Sequence, residues 1–320
     1  MNQFLSIDDV PDPAGLVKEA LVIKTDPFAF SHLGKNKTLG LVFLNPSLRT
    51  RMSTQRAAQN LGMDVMVLNV DKDGWQLEFE DGAIMNGASQ EHIKEAAAVI
   101  SQYCDIIGIR TFPSLQDREA DYNEKILRSF ARNATVPVIS LESATLHPLQ
   151  SLADWLTIEE HKTKDMPKVV LTWAPHPKAL PQSVPNSFVQ WIRKAPVEFV
   201  ITHPEGYELN SRFTAGVTIE YDQNKALAGA DFVYAKNWSS YNEYGKILSQ
   251  DSSWMVTEEK MALTNQGSFM HCLPVRRNVI VTDQVLDGPN SLIINEAGNR
   301  VYAAQAVLKS ILENGASGSN

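Results

Sequence analysis

The sequence predicts an α/β protein built on parallel sheets in two domains, and three observations carry that prediction. Short apolar, β-branched runs alternate with longer helical stretches along most of the chain, the pattern of strand–helix units. The apolar runs are hydrophobic at successive positions, as strands covered on both faces must be. A length of 320 residues, at roughly 150 residues per domain, corresponds to about two cores.

The runs read as strands lie at 38–44 (TLGLVFL), 64–69 (DVMVLN), 105–110 (DIIGIR) and 137–141 (PVISL). A second set lies at 168–174 (KVVLTWA), 198–203 (EFVITH), 218–221, 231–236 (DFVYAK), 269–273 and 292–295. Helical stretches fall between them, at 51–61, 90–102, 123–132, 148–161, 187–192 and 301–312. In the stretch 90–102, Ile93, Ala96, Ala97 and Ile100 recur at helical spacing, with Ser89 as the expected N-cap. The domain crossover is expected at the midpoint helix 148–161 and the polar stretch KTKDMPK that follows it. The Gly/Ser-rich tail 313–320 reads as frayed.

Composition excludes several classes. A count of 29 Lys and Arg against 37 Asp and Glu, net −8, argues against a nucleic acid or an anionic membrane surface as partner. Hydrophobic residues at 43% and charged residues at 21% exclude a disordered chain. Two cysteines, Cys104 and Cys272, exclude a disulfide scaffold and fit a reducing compartment. The opening segment MNQFLSIDDVPDPAG has no basic start and no apolar stretch of signal-peptide length. No apolar run approaches the roughly 18 residues that span a bilayer. The expectation is a soluble, cytoplasmic protein.

Several chemical signatures are missing. There is no G-x-G-x-x-G after a strand, no G-x-x-x-x-G-K-[ST] and no G-x-S-x-G. The seven histidines form no H-x-x-x-H pair, and there is no Cys-x-x-Cys. These absences point to an α/β protein without an organic cofactor or a bound metal.

Three motifs carry chemistry. Ser47-Leu48-Arg49-Thr50-Arg51 follows the strand TLGLVFL and the turn Asn45-Pro46, and it opens a helix. A helix N-terminus with two hydroxyls and two guanidiniums is suited to an anion, most naturally a phosphate. His147-Pro148-Leu149-Gln150 follows the strand PVISL, so both polar side chains face the carboxyl edge of a sheet, where open α/β folds bind ligands. His271-Cys272-Leu273-Pro274 ends another strand, and its proline stops ladder pairing, leaving backbone carbonyls available. Read singly, each motif also fits a plain structural role: a capped surface helix, a capping histidine, a buried small thiol.

Together, in this order and spacing, the motifs resemble the aspartate/ornithine carbamoyltransferase family, and the likeness extends from Asn36 to about Leu312. The resemblance implies the carbamoyltransferase fold: two Rossmann-like domains, each a parallel β-sheet flanked by helices. Residues 1–148 would bind carbamoyl phosphate, with the C-terminal helix 300–314 packing back on them, and residues 149–299 would bind the amine acceptor. It implies that Ser47, Leu48 (through its backbone N–H), Arg49 and Thr50 hold the phosphate. Arg110 would contact both the phosphate and the carbamoyl oxygen, and Arg300 would also reach carbamoyl phosphate. His147 and Gln150 would bind the carbamoyl group, and the carbonyls of Cys272 and Leu273 would accept from its NH2. Arg110 and His147 are the expected catalytic groups, donating where charge develops on the carbamoyl oxygen and the departing phosphate. No cofactor or metal is implied.

For the acceptor, the D-x-x-x-S-M-G loop of ornithine carbamoyltransferases is missing, and the matching region reads NWSSYNEYG. The chain is more similar to the N-acylornithine carbamoyltransferases, through Gly74-Trp75, Glu142 in LESAT, WAPHP, AKNW and HCLPVRRN. That likeness implies acceptor contacts by Glu142, His176, Lys236, Gln90 and Arg276. It also implies a homotrimer in which Trp75 enters a neighbouring subunit's carbamoyl phosphate site. Lys236 suits the α-carboxylate of an amino acid whose α-nitrogen is neutralised by acylation. Gln90 stands where acetyl-type enzymes have glutamate and succinyl-type enzymes proline, and Ile280 stands where acetyl-type enzymes have lysine. A neutral amide at 90 does not repel a second carboxylate, and Arg276-Arg277 could neutralise one, so the expected acceptor is N-succinyl-L-ornithine. N-acetyl-L-ornithine, ornithine, putrescine, aspartate and a catalytically silent anion-binding paralogue stand as alternatives.

Overall fold

The computed structural model describes residues 1–317, the side chains of residues 71, 316 and 317 excepted. The chain divides into two compact units. One comprises Met1–Ser114, Glu119–Leu149 and the segment from Arg300; the other comprises Leu115–Arg118 and Gln150–Asn299. Apart from the short excursion Leu115–Arg118, the chain passes from one unit to the other within the helices Pro148–His161 and Ile293–Ser317.

The first unit is built on a four-stranded sheet of β1 (Thr38–Phe43), β2 (Asp64–Asn69), β5 (Ile106–Arg110) and β6 (Val138–Glu142), in the order β2-β1-β5-β6. All its pairings are parallel. β5 and β6 are buried along their whole length, whereas β2 is the partly exposed edge. Gly40 is required by close packing: a Cβ there would lie 2.5 Å from Cys104 Sγ. Cys104 is accordingly a core residue, and burial pushes its thiol pKa up. β3 (Leu77–Glu78) and β4 (Glu91–His92) form a separate two-stranded ladder.

The second unit holds β7 (Lys168–Trp173), β8 (Glu198–Thr202), β9 (Thr218–Glu220), β10 (Phe232–Lys236) and β11 (Ser268–Met270), in the order β11-β10-β7-β8-β9. These strands are again all parallel. Two apolar clusters flank the sheet, one around Phe269, Val281 and Ile280, the other around Val170, Val233 and Leu227. The α/β class and the two parallel sheets agree with the sequence reading.

Three local expectations need correction, and one helix was not foreseen. The segment 292–295 is not a strand: Ser291 makes one bridge to Phe269, Leu292 N–H donates to Phe269 O at 2.8 Å, and the helix Ile293–Ser317 then begins. An apolar LIIN run satisfies either a strand or a buried helix start, and the pairing ends after one residue. The helix expected from Gln90 starts instead at Ile93, with His92 as N-cap accepting from Lys94 N–H at 3.2 Å, because residues 91 and 92 are taken up by the β3–β4 ladder. Ser89 is therefore not its cap. The tail is helical to Ser317, and residues 318–320 lie outside the described residues. The helix Pro13–Thr25 was not anticipated, although Asp12 caps it through Gly15 N–H and Pro13 opens it.

Candidate active site

The first unit gathers its charged groups at the carboxyl ends of β1, β5 and β6. Register puts Phe43 beside Arg110, and a β-bulge between Ile109 and Arg110 brings Arg110 opposite Glu142. The bulge re-aims the arginine. Arg110 Nη2 and Nε donate to Glu142 Oε2 at 2.7 and 3.2 Å, and Nη1 donates to Pro46 O, just ahead of Ser47. The guanidinium also lies 4.4 Å from the centre of the Phe112 ring. His147 Nε2 is 3.6 Å from the same Glu142 oxygen. Arg110, Glu142 and His147 are all buried. A buried arginine with this much support is a fixed donor rather than a solvated charge.

The motif Ser47–Thr50 opens the helix Arg49–Asn60. Thr50 N–H donates to Ser47 Oγ at 3.3 Å. Leu48 is 69% exposed, so core packing does not account for it. Arg300 Nη2 donates to Thr50 Oγ1 at 2.6 Å, and both residues are buried. Two further contacts, Asn60 Nδ2 to Gln305 Oε1 and Lys309 Nζ to Glu19, hold the helix that carries Arg300 within this unit.

Sequence reasoning missed Glu124. It sits buried at a left-handed backbone position with φ 53°, where the helix Lys125–Asn133 begins. Its carboxylate accepts from Ser143 Oγ at 2.7 Å, from Thr145 N–H at 2.8 Å, from Thr145 Oγ1 and from Ala144 N–H at 3.2 Å. The loop that leads to His147 is thereby braced by one buried carboxylate. Burial pushes the Glu124 carboxyl up against the lowering effect of those four donors.

In the second unit the expected acceptor residues converge at the carboxyl ends of three neighbouring strands. His176 follows β7, Lys236 ends β10, and Arg276 follows β11. Arg276 Nε donates to His176 Nε2 at 3.0 Å. His176 Nδ1 lies 2.9 Å from Lys178 O and 3.0 Å from Lys178 N, so the turn that follows holds the ring from its other side. Burial lowers the His176 pKa, and the Arg276, Lys236 and Lys178 cations add to that. Gln150 Nε2 donates to Asp154 Oδ1 at 2.8 Å and to Glu296 Oε1 at 3.0 Å. Glu296 Oε2 accepts from His271 N–H at 2.9 Å, which ties Gln150 to the HCLP turn. In that turn Cys272 is buried and Leu273 adopts φ 56°. Asp154 and Glu296 were also missed, since carboxylates inside helices carry no motif.

Two expected site residues stand apart from these clusters. Trp75 is 51% exposed, and its indole N–H donates to Glu91 Oε2 at 2.8 Å. Gln90 is exposed, and its backbone N–H donates to Gln76 O at 3.1 Å. Ile280 is buried in the apolar cluster rather than turned to a ligand. Among the described residues no group of three or more His, Cys, Asp or Glu is arranged to hold a metal ion, and no helix is long and apolar enough to cross a membrane.

Comparison with known proteins agrees with this geometry. Residues 2–160 match the family model described as aspartate/ornithine carbamoyltransferase, carbamoyl-P binding domain, and residues 181–311 match the Asp/Orn binding domain of the same family. The N-succinylornithine carbamoyltransferase of Bacteroides fragilis (strain 638R) is 54% identical over 98% of this chain and 99% of its own. The N-acetylornithine carbamoyltransferase of Xanthomonas axonopodis pv. citri (strain 306) is 39% identical over 92% of each. The crystal structure of an acetylornithine transcarbamylase complexed with acetylcitrulline superposes with a TM-score of 0.92 at 37% identity, covering 97% of this chain and 99% of the other. With matches of this extent in both halves, the chain belongs to the aspartate/ornithine carbamoyltransferase family.

Proposed function

We propose that this enzyme transfers the carbamoyl group of carbamoyl phosphate to the δ-amine of N-succinyl-L-ornithine, giving N-succinyl-L-citrulline and phosphate, in arginine biosynthesis. The observation that carries the reading is the buried Arg110–Glu142–His147 cluster, joined in the same unit by the Arg300–Thr50 pair. The likeness to a named N-succinylornithine enzyme over almost the whole chain supports the choice of acceptor.

In this reading Ser47, the Leu48 N–H, Arg49, Thr50 and Arg300 take the phosphate. Gln150 and the carbonyls of Cys272 and Leu273 take the carbamoyl NH2. The neutral δ-amine attacks the carbamoyl carbon, forming the C–N bond. The C–O bond to phosphate breaks, and the amine's surplus proton leaves with the phosphate. Arg110 and His147 stabilise the charge that develops on the carbamoyl oxygen and the leaving group. Lys236 takes the acceptor's α-carboxylate, and Arg276, His176, Glu142 and Gln90 are the other acceptor-binding residues of this reading. Residues 1–148 with 300–314 serve the donor and 149–299 the acceptor.

The active form is a cytoplasmic homotrimer in which Trp75 completes a neighbour's donor site. Exposure of Trp75, Leu48, Met52 and Met66 on the first unit is consistent with a covered face. Light scattering tests this: a trimeric mass is expected, and a monomer removes Trp75 from the site. A citrulline-type colour assay with N-succinyl-L-ornithine, N-acetyl-L-ornithine, ornithine and putrescine tests the activity. The succinyl compound should react fastest; equal or reversed rates for the acetyl compound would sink the succinyl choice.

A further inference from the structure

Behind Gln150 lie two buried carboxyl groups. Asp154, one turn along the same helix, and Glu296, in the first turn of the helix Ile293–Ser317, are both fully buried. Both accept from the one Gln150 nitrogen, which draws the two carboxyl groups to a single buried point. Burial, then the Asp154 charge, then Cys272, push the Glu296 carboxyl well above the usual range, which favours its protonated form. An amide nitrogen has two protons, and Gln150 gives both to this pair. Its Oε1 is buried and makes no hydrogen bond within the protein. The second oxygen of Glu296 holds His271 N–H, so one carboxyl group ties down both segments that the proposed function assigns to the carbamoyl NH2.

We propose that Asp154 and Glu296 are a positioning pair that locks the Gln150 amide with its oxygen as the only group left for the ligand. The donor site thereby selects an acyl phosphate that presents N–H over its isostere with a methyl, acetyl phosphate. The inference rests on the carbamoyltransferase reading above. Rotating the amide by half a turn would set its oxygen against two carboxyl groups and forfeit charge-assisted hydrogen bonds, so the orientation is enforced. A methyl group facing a buried, unsatisfied oxygen is then penalised, the situation in which hydrogen-bonding sites reject analogues most strongly.

Two near-isosteric variants separate this role from simple structural support. In Glu296→Gln, an amide whose oxygen stays on His271 N–H turns its NH2 on Gln150, which must rotate to accept it. In Asp154→Asn, the amide oxygen still accepts from Gln150 while the new NH2 faces the Glu296 carboxyl, so the orientation survives. The readout is equilibrium binding of carbamoyl phosphate and acetyl phosphate to the full-length protein, with turnover of N-succinyl-L-ornithine measured separately. Glu296→Gln should narrow the ratio of the two affinities by about tenfold, and Asp154→Asn should hold it within about threefold. Gln150→Met, which leaves the pair intact and removes the oxygen, should narrow the ratio at least as far as Glu296→Gln. Equal ratios in Glu296→Gln and Asp154→Asn, or a wild-type ratio in Gln150→Met, would overturn the inference. A wild-type protein that turns over without discriminating refutes it too, whereas one that discriminates without turning over refutes the carbamoyltransferase reading.

Discussion

The two units meet the same problem, presenting polar groups at the carboxyl edge of a parallel sheet, with opposite chemistry. The first unit buries arginines and holds them in place: Arg110 donates to Glu142 with His147 beside that carboxylate, and Arg300 donates to Thr50. The second unit, around Gln150, buries carboxyl groups and uses them to steady a neutral amide and a backbone N–H. A cationic cluster suits a doubly charged phosphate, because the ligand brings the charge that makes its burial favourable. A neutral amide locked by acids suits a neutral NH2, where direction matters more than charge. The acidic total of −8 is therefore silent about the ligand, since a few arranged groups decide it.

The sharpest way to break the comparison is at Arg110. Arg110→Ala removes donors from the proposed developing charge and leaves Glu142 buried without that partner. Turnover should fall on the order of 10²–10³-fold, and stability by about 3 kcal/mol, read by steady-state kinetics and urea unfolding. A loss below tenfold would mean that the first cluster is structural.

The next test sets one cation from each unit against the other. Lys236→Ala should raise the acceptor KM by about thirtyfold, the equivalent of roughly 2 kcal/mol for a lost charged contact, with little change for carbamoyl phosphate. Arg49→Ala should do the reverse. If both variants weaken both substrates alike, the division of labour between the units is wrong.

A smaller effect is expected at Glu124, which touches no proposed ligand. Glu124→Ala leaves four donors of the 143–145 loop, three of them buried, without their acceptor, and should cost about 2 kcal/mol in urea unfolding. Turnover should fall with the looseness of His147, while the acceptor KM stays near the wild-type value. A shifted acceptor KM at unchanged turnover would show that the loop serves the second unit instead.

Much of this was legible in the sequence because parallel strands advertise themselves. TLGLVF, IIGIR, KVVLTW and FVYAK are apolar at successive interior positions, with their charged residues at the strand ends, which burial on both faces explains. The motifs SLRTR, HPLQ and HCLP were equally visible, because anion and carbonyl sites need particular residue types beside strand ends. What escaped was whatever depends on a partner distant in the chain. Glu124 and Glu296 look like ordinary helix-surface acids until the fold buries them. The Arg110–Glu142 pairing depends on a β-bulge that no local pattern announces. The strand expected at 292–295 failed for a related reason: LIIN is apolar enough for either state, and the helical first turn bearing Glu296 prevailed.

The finest test of the comparison uses pH. His176 is held neutral by burial and by the Arg276, Lys236 and Lys178 cations, so its native pKa lies below the ordinary value of 6.5. Between those two values the unfolded chain binds more protons than the native one, so the contribution to stability is complete above pH 6.5 and is lost as pH falls toward the native pKa. The same protonation removes the lone pair on Nε2 that accepts from Arg276 Nε. Acidification below about 6.5 should therefore raise the acceptor KM by a few-fold and leave carbamoyl phosphate affinity without this titration. Ionisation of the acceptor's own δ-amine acts on any variant equally, so the comparison is with His176→Gln. There an amide oxygen accepts from Arg276 at every pH, and the extra rise should disappear. If wild type and His176→Gln give superimposable KM profiles, Arg276 is not held by a titrating histidine. If carbamoyl phosphate affinity titrates in parallel in wild type alone, His176 serves the donor side as well, and the two units are less distinct than their contacts imply.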